Sequence, residues 1–246
     1  KNFMDISVAT ITFWVIGYGL MYGAKTAGII SLGSDIWFNP GAGAHDVFFQ
    51  LVFAATAATI VSGAIAGRTK YSTYIIFTVF MTAIIYPISG GWQWYGDGAW
   101  LADMGFIDFA GSSIVHAVGG VAALVAAIMV GPRLGKFGKD GSVNPIPGSN
   151  LLLGTLGVFI LWLGWFGFNG GSQLAWGGDN TVGATTIVLY TNLSAAAGAV
   201  GALITTWIWY GKPDIVQTLN GALAGLVSIT AGAANMDALG TFFAGL

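Results

Sequence analysis

His116 and Asp108 are the residues of this sequence whose types and spacing can do chemistry. They lie eight positions apart, so a helix rising 1.5 Å per residue separates them by about 12 Å along its axis. His116 falls inside an apolar stretch, where an ionisable side chain is costly and usually faces the interior of a bundle or a polar path. A neutral imidazole offers one hydrogen-bond donor and one acceptor. We therefore predict a functional role for His116, with structural hydrogen bonding to a backbone carbonyl as the alternative.

Asp108 and His45 have simpler interpretations beside any functional one. Asp108 precedes Phe109-Ala110-Gly111, and an aspartate in that place can cap a helix by accepting from the amides two and three residues on. The same carboxylate can add negative potential where a cation would arrive, and both interpretations stay open. His45 lies in a glycine-rich linker directly before Asp46, and we predict that it is a surface residue.

The composition determines which kind of protein has to position these side chains. Of 246 residues 55% are apolar and only 7% are charged, against roughly 25% charged in ordinary soluble domains, which excludes a soluble globular domain. The net charge of −2, with no basic stripe, excludes a nucleic-acid partner. Without cysteine there is no disulfide or thiolate, and two histidines make poor zinc ligands. No metal and no cofactor are expected.

Apolar stretches of span length recur along the chain. A helix needs about 20 apolar residues to cross the hydrocarbon core of a bilayer. We place seven such stretches near residues 3–23, 46–67, 71–89, 111–131, 149–169, 186–210 and 215–234, with an eighth beginning at Asp237. The sequence therefore predicts an all-α, polytopic membrane helix bundle. Gly-x-x-x-Gly pairs at Gly19/Gly23, Gly63/Gly67 and Gly221/Gly225 predict close helix packing rather than a function.

The charged residues of the linkers are sorted by sign, which indicates how the spans are oriented. Short cytoplasmic loops collect Lys and Arg, so we predict a multi-pass cell-membrane protein with one set of basic residues in the cytoplasm: Lys1, Arg68, Lys70, Arg133, Lys136, Lys139 and Lys212. The opposite linkers hold Asp35, Asp46, Asp97, Asp103, Asp108, Asp179 and Asp237. An electronegative outer face concentrates cations, so a cationic substrate is expected.

One long motif and several shorter ones match a known family. The segment Asp108-Phe-Ala-Gly-Ser-Ser-Ile-Val-His116-Ala-Val-Gly-Gly, with Gly131-Pro-Arg-Leu-Gly135 after it, resembles the signature of the ammonium transporter (Amt/Rhesus) family. Further blocks with the same resemblance are Lys1-Asn2, Phe49-Gln-Leu-Val-Phe53-Ala, Trp162 to Ser172, Gly211-Lys-Pro213 and Asn220 to Val227. The resemblance covers the whole chain.

The resemblance implies a fold, an assembly and the extent of the domain. Members of the family have eleven spans in inverted repeats of five plus one, and assemble as homotrimers with a pore in each subunit. By this comparison residues 1–246 are a single, partial transporter domain that runs from the second span to the early ninth. His116 matches the first of two paired pore histidines, and the second has no position in this sequence. We expect an incomplete stretch of a longer protein, with a degenerate relative as the alternative.

Carried over position by position, the motifs also imply site residues. Phe53 and Phe168 match the stacked phenylalanines above the pore, while Trp94 and Ser172 match the outer recruitment site. The nearby Trp92 is an alternative to Trp94. With Asp108, these four residues form the expected substrate-binding set, and His116 with the two phenylalanines forms the expected conduction path.

The implied activity is transport of ammonium or methylammonium, so no enzyme activity and no catalytic residue are expected. The cation would bind at the aromatic site, lose a proton, and cross an apolar pore as ammonia along His116. The alternative is an ammonium sensor that signals through a fused or bound cytoplasmic domain. The family also implies a PII-type regulatory protein as a possible partner, besides the lipid bilayer.

Overall fold

The computed structural model describes residues 1–26, 28–31, 37–38 and 43–246. Apart from one antiparallel pair of two-residue strands, its regular structure is helical. In chain order the elements are α1 (Asn2–Tyr22), β1 (Lys25–Thr26), β2 (Ile30–Ser31), α2 (Ala44–Ala64), α3 (Tyr71–Trp94), α4 (Trp100–Asp103), α5 (Ser112–Val130), α6 (Leu151–Gly171), α7 (Thr181–Tyr210), α8 (Ile215–Thr230) and α9 (Ala238–Gly245). The predicted all-α helix bundle is confirmed.

The predicted spans compare closely with these helices, with one correction. Among the described residues, six helices are long and apolar enough to cross a membrane. The seventh predicted span, 215–234, is shorter than predicted, because α8 ends at Thr230 after 16 residues. The carbonyl oxygens of Thr230 and Ala231 accept from the backbone amides of Ala110 and Phe109, at 3.0 and 2.9 Å. The chain after α8 is therefore bonded to another segment instead of continuing the helix.

The chain divides into two compact units. Unit 1 comprises residues 1–107 and 113–146, and unit 2 comprises residues 108–112 and 147–246. Each unit has buried apolar residues of its own. A single domain over 1–246 stays a prediction.

In unit 1, α1 and α3 contact each other at π-helical turns, Phe13–Gly17 and Met81–Ile85. The hydroxyls of Thr12 and Thr82 are 2.5 Å apart there. Gly17 is required at this contact, because a Cβ would collide with the carbonyl oxygen of Thr82. Such turns insert one extra residue into a helix and occur often at functional sites.

Basic residues gather at one end of unit 1. Lys1 Nζ donates to the carbonyl oxygen of Thr69 at 3.3 Å, and Arg133 Nε donates to that of Ala66 at 3.4 Å. The Arg68 guanidinium donates to the carbonyl oxygen of Gly131. The linker after α2 and the linker after α5 therefore lie close together, and Lys1 lies beside the first of them. The assignment of these basic residues to the cytoplasm stays a prediction.

In unit 2, α7 and α8 pack closely through small residues. A Cβ on Gly225 would collide with the carbonyl oxygen of Ser194, and Gly198 and Gly221 obstruct each other in the same way. The packing role predicted for Gly221/Gly225 is confirmed. It is wrong for Gly63/Gly67, where an added Cβ would meet nothing within 4 Å among the described residues.

The helix ends of unit 2 follow local capping chemistry. The side chains of Asn150, Asp214 and Asp237 each accept from an amide three residues on, at 2.9, 3.0 and 2.7 Å. These bonds satisfy amides that have no partner inside the helix. The C-terminal end of α7 is followed by Gly211, which takes a left-handed conformation with φ 70°. This is a common way for a helix to end.

Candidate functional site

An aromatic pair lies where α2 and α3 meet in unit 1. Phe53 is buried, and its ring centroid is 5.6 Å from that of Trp94 with the planes at 80°. Phe49 extends the cluster, 4.8 Å from Phe53. Edge-to-face geometry of this kind holds aromatic side chains in a defined orientation. Trp94 is the last residue of α3 and is only half-buried, so part of its indole stays accessible.

The geometry separates the two tryptophans that the sequence offered. Trp92 donates from Nε1 to the carbonyl oxygen of Ile29 at 3.0 Å, and its ring lies 5.2 Å from Trp100. These contacts attach the end of α3 to Ile29, which precedes α2, and to Trp100 of the short helix α4. Trp94, by contrast, contacts Phe53 directly. The contact favours Trp94 over Trp92 as the partner of Phe53.

Asp46 and His45 lie in the first turn of α2, which begins at Ala44, two residues before the predicted span 46–67. Tyr18 donates its hydroxyl to Asp46 Oδ2, and Gln50 Nε2 lies 3.4 Å from Oδ1. This carboxylate therefore joins α1 to α2. His45 is exposed, which confirms it as a surface residue. Asp35, predicted to share the outer face, lies outside the described residues.

His116 occupies a π-helical turn at the start of α5, Ser112–Ala117. Its side chain is half-buried, while Ile114 and Val115 beside it are buried. The helix that carries it, Ser112–Val130, has 19 residues and is apolar enough to cross a membrane. A titratable ring is thus placed inside an otherwise apolar span, as predicted, where such groups mark solute or proton paths.

Asp108, in unit 2, is buried, and its side chain accepts from one of the two amides that the sequence predicted, that of Gly111, but not from that of Ala110. Its Oδ1 accepts from Gly111 N at 2.7 Å and Ser112 N at 3.0 Å, three and four residues on rather than two and three. The shift arises because the amides of Phe109 and Ala110 bond to the end of α8 instead. Gly111, with φ 112°, allows the chain to turn from this pairing into α5.

The Ser112 hydroxyl strengthens the attachment of this segment to α8. It donates to the carbonyl oxygen of Val227 at 2.6 Å and accepts from Ala231 N at 2.7 Å. The segment 108–112 therefore has a fixed conformation within unit 2, and Asp108 holds its backbone rather than presenting an open carboxylate.

Phe168 and Ser172 lie one turn apart at the end of α6. The Phe168 ring is half-buried and lies 5.6 Å from Trp165. The Ser172 hydroxyl donates to the carbonyl oxygen of Phe168 at 2.8 Å. Because its hydrogen points to that carbonyl, the oxygen lone pairs of Ser172 remain able to accept from a donor such as an ammonium N–H.

Sequence reasoning missed several buried polar residues, among them Asp5 and Asn169. Asp5 is buried inside α1 and accepts from the Thr78 hydroxyl at 2.6 Å; the signal was an aspartate within a span-length apolar stretch. Asn169 is buried beside Phe168 and donates to the Thr191 hydroxyl at 3.0 Å, while its Oδ1 has no donor within the described residues. The signal for Asn169 was an amide inside the Trp162 to Ser172 block.

The predicted residues thus form two local groups and two single positions. Phe53 with Trp94 is one group and Phe168 with Ser172 is the other, while His116 lies in the π-helical turn Ser112–Ala117 and Asp108 accepts from Gly111 N. Over the ranges that the structure describes, no three His, Asp or Glu side chains gather closely enough to hold a metal ion.

Comparison with known proteins decides the family. The model of the Ammonium Transporter Family matches residues 1–246. The chain belongs to the ammonium transporter family. This confirms the resemblance carried by the motifs around Asp108 and His116, and the six span-length helices fit a multi-pass membrane protein of a transporter family, not of an enzyme family.

Relatives and solved structures agree with this family membership. Ammonium transporter Amt2 of Archaeoglobus fulgidus is 49% identical over 94% of this chain and 51% of its own length. Ammonium transporter Amt1 of Haloferax mediterranei is 41% identical over 94% of this chain and 48% of its own. The chain therefore spans about half the length of the curated relatives it matches.

Two solved structures are similar to this chain over 99% of its length. One is titled a Sensor Amt Protein, with a TM-score of 0.93, 40% identity and 62% of that chain covered. The other is Candida albicans Mep2, with a TM-score of 0.85, 27% identity and 55% of that chain covered. The ammonium-transporter fold predicted from the motifs is thereby confirmed.

Proposed function

We propose that the protein conducts ammonium or methylammonium across the cell membrane, and that Phe53 and Trp94 bind the cation first. The contact between a buried phenylalanine and a partly accessible tryptophan carries this proposal. A cation over an aromatic face gains on the order of 1–2 kcal/mol once it is desolvated. In unit 2, the family resemblance assigns substrate binding to Ser172, whose hydroxyl oxygen can accept an N–H, and to the ring of Phe168.

The cation then loses its proton before it enters the narrow part of the path. A charge at the bilayer centre costs about 3 kcal/mol or more, whereas neutral ammonia passes an apolar passage easily. His116 hydrogen-bonds the ammonia or relays the proton, since a neutral imidazole can both donate and accept. Asp108 contributes by holding the segment that leads into α5, and its charge adds to the attraction of cations.

The remaining expectations from the family belong to the same proposal. The protein forms a homotrimer in the cell membrane, with Arg68, Lys70, Arg133, Lys136, Lys139 and Lys212 on the cytoplasmic side, where a PII-type regulator or fused signalling domain would bind. The gathering of Lys1, Arg68 and Arg133 at one end of unit 1 supports this orientation.

Uptake of radiolabelled methylammonium tests the site. In cells that lack their own ammonium transporters, we expect the full-length protein with His116→Ala or Asp108→Ala to take up methylammonium at the background rate. His45→Ala is the matched control, because His45 is exposed in the first turn of α2, and uptake should be unchanged. Unimpaired uptake in both His116→Ala and Asp108→Ala would remove the site assignment.

Asp108→Asn separates the two roles of that carboxylate. Asparagine keeps an oxygen that can accept from Gly111 N and Ser112 N, but it removes the negative charge. If capping is the main role, uptake by Asp108→Asn stays near the unsubstituted level. If the charge attracts the cation, uptake falls as in Asp108→Ala.

Ammonium sensing is the second candidate function, favoured by the similarity to the structure titled Sensor Amt Protein. A sensor would bind ammonium at the same aromatic pair but would not need to conduct it. Purified full-length protein in liposomes distinguishes the two functions. Ammonium flux above that of empty liposomes supports transport, whereas specific binding without flux supports sensing.

A further inference from the structure

A basic cavity lies at the end of unit 1 where α2 and α5 terminate. Its volume is about 360 Å³, and its lining includes Ala64, Arg68, Pro132, Arg133, Lys136 and Ile146. Three of these residues are cationic and none is acidic. Within the described part of the chain, no carboxylate lies within ion-pair distance of the three cations.

Backbone carbonyls orient these cations without neutralising them. The Arg68 guanidinium donates to the carbonyl oxygens of Ala64 and Gly131, and so joins the last turn of α2 to the end of α5. Lys136 Nζ donates to the carbonyl oxygen of Asn144 at 3.2 Å. Arg68 Nε is buried with no hydrogen-bond partner among the described residues. The cavity therefore holds preorganised donors and uncompensated positive charge, which suits an anion with several acceptor oxygens.

The place of the cavity in the fold points to a lipid. It lies just beyond Ala64 and Val130, the last residues of two membrane-spanning helices, which is the level of phospholipid headgroups. The linker after α5 also carries exposed apolar side chains, Leu134, Phe137, Val143 and Ile146. Exposed apolar residues interspersed with Lys and Arg are typical of segments that lie at a membrane surface.

Asp140 is the acidic residue of this linker, and its own turn holds it away from the cavity lining. The Ser142 hydroxyl and amide donate to Asp140 Oδ1 at 2.6 and 3.1 Å. These hydrogen bonds lower the pKa of the Asp140 carboxyl, so it stays charged. It remains bound within residues 138–142 instead of pairing with Arg133 or Lys136.

We propose that this cavity binds the phosphate group of an anionic phospholipid, with Arg68, Arg133 and Lys136 contacting its oxygens. The site is independent of the ammonium path, because it uses none of the residues assigned there. A bound headgroup would join the ends of α2 and α5 on the basic side of the membrane. A free phosphate offers the same chemistry, so the experiment has to distinguish the two sources.

Native mass spectrometry of the full-length protein in detergent tests the proposal. Phosphatidylglycerol and phosphatidylcholine of equal chain length are titrated against the unsubstituted protein and against the Arg133→Gln/Lys136→Gln variant. We expect phosphatidylglycerol to bind more tightly than phosphatidylcholine, and the double substitution to weaken phosphatidylglycerol binding about 20- to 30-fold, as two lost cations near an anionic headgroup predict.

The matched control is Lys139→Gln/Lys212→Gln, which removes the same charge from basic linkers outside the cavity and should bind like the unsubstituted protein. Arg133→Lys/Lys136→Arg keeps the charges and should retain the preference, which separates loss of the site from misfolding. Inorganic phosphate in millimolar excess should not compete if a lipid is the ligand. Equal binding of the two lipids, equal loss in both Gln variants, or competition by free phosphate would overturn the proposal.

Discussion

The orientation of the Trp94 side chain determines its role at the proposed binding site, because it brings the indole against Phe53. Two tryptophans stand in the same short block, and only the direction in which each points separates their roles. Trp92 is held by Ile29 and Trp100, whereas Trp94 contacts the buried Phe53; both tryptophans are half-buried. The accessible part of a tryptophan ring can attract a cation, and that of Trp94 lies beside the ring of Phe53.

Replacing Trp94 with Leu should weaken recruitment more than conduction. The substitution keeps apolar volume but removes the aromatic face, so the concentration of methylammonium at half-maximal uptake should rise about 5- to 30-fold, corresponding to about 1–2 kcal/mol. Maximal uptake should change much less. Saturation curves measured at equal protein levels check this.

Trp209→Leu is the control for the Trp94 prediction. Trp209 is 75% exposed near the end of α7, and its replacement should leave the saturation curve unchanged. An unchanged half-maximal concentration in Trp94→Leu would show that the indole does not contribute to binding.

At the scale of elements, buried hydroxyl contacts join α1 to α3. The Thr78 hydroxyl donates to Asp5, and the Thr12 and Thr82 hydroxyls meet one turn further along. Asp5 is thereby kept hydrogen-bonded inside a membrane-spanning segment, where a carboxylate without partners would be very costly. The packing of α1 against α3 is therefore stabilised by a few hydrogen bonds between their side chains.

Thr78→Val should therefore destabilise the fold. Valine has nearly the shape of threonine but leaves the Asp5 carboxylate without this donor, at a cost of about 1–3 kcal/mol in the free energy of unfolding. Thermal unfolding of the purified protein, followed by the loss of its size-exclusion peak, should shift to lower temperature.

Thr185→Val provides the comparison for Thr78→Val. The Thr185 hydroxyl is exposed and donates only within its own helix, to the carbonyl oxygens of Thr181 and Val182. Its removal should change the unfolding temperature little. Equal shifts in the two variants would mean that the Thr78–Asp5 hydrogen bond contributes nothing specific.

At the scale of the whole molecule, selectivity follows from the chemistry of the substrate. Ammonium can lose a proton at an apolar passage, but a potassium ion of similar size cannot lose its charge. Full-length protein in liposomes should therefore pass ammonium while potassium flux stays at the level of empty liposomes, because a charge in the centre of the membrane costs at least about 3 kcal/mol.

A potassium-sensitive dye and a pH-sensitive dye in the same liposome preparation measure both fluxes. Liposomes with the His116→Ala protein serve as the control for protein-dependent leak. Potassium flux equal to ammonium flux would contradict the deprotonation step.

The sequence alone determined the helical membrane fold, most span positions and the family. Span length and hydropathy are local properties set by the thickness of the bilayer, so they can be derived from consecutive residues. Six of seven predicted spans have full-length counterparts, and the motifs around Asp108 and His116 matched the family along the whole chain. The substrate-binding and conduction roles of the site residues stay predictions.

Only the tertiary structure decided how particular residues are used. Asp108 caps Gly111 and Ser112 because neighbouring amides bond to the end of α8, and the Ser112–Ala231 hydrogen bond joins residues 119 positions apart. In the same way, a Cβ on Gly225 would collide with Ser194 of another helix, while one on Gly63 would meet nothing within 4 Å among the described residues. Such contacts depend on which distant segments meet, and a local pattern of residue types carries no information about that meeting.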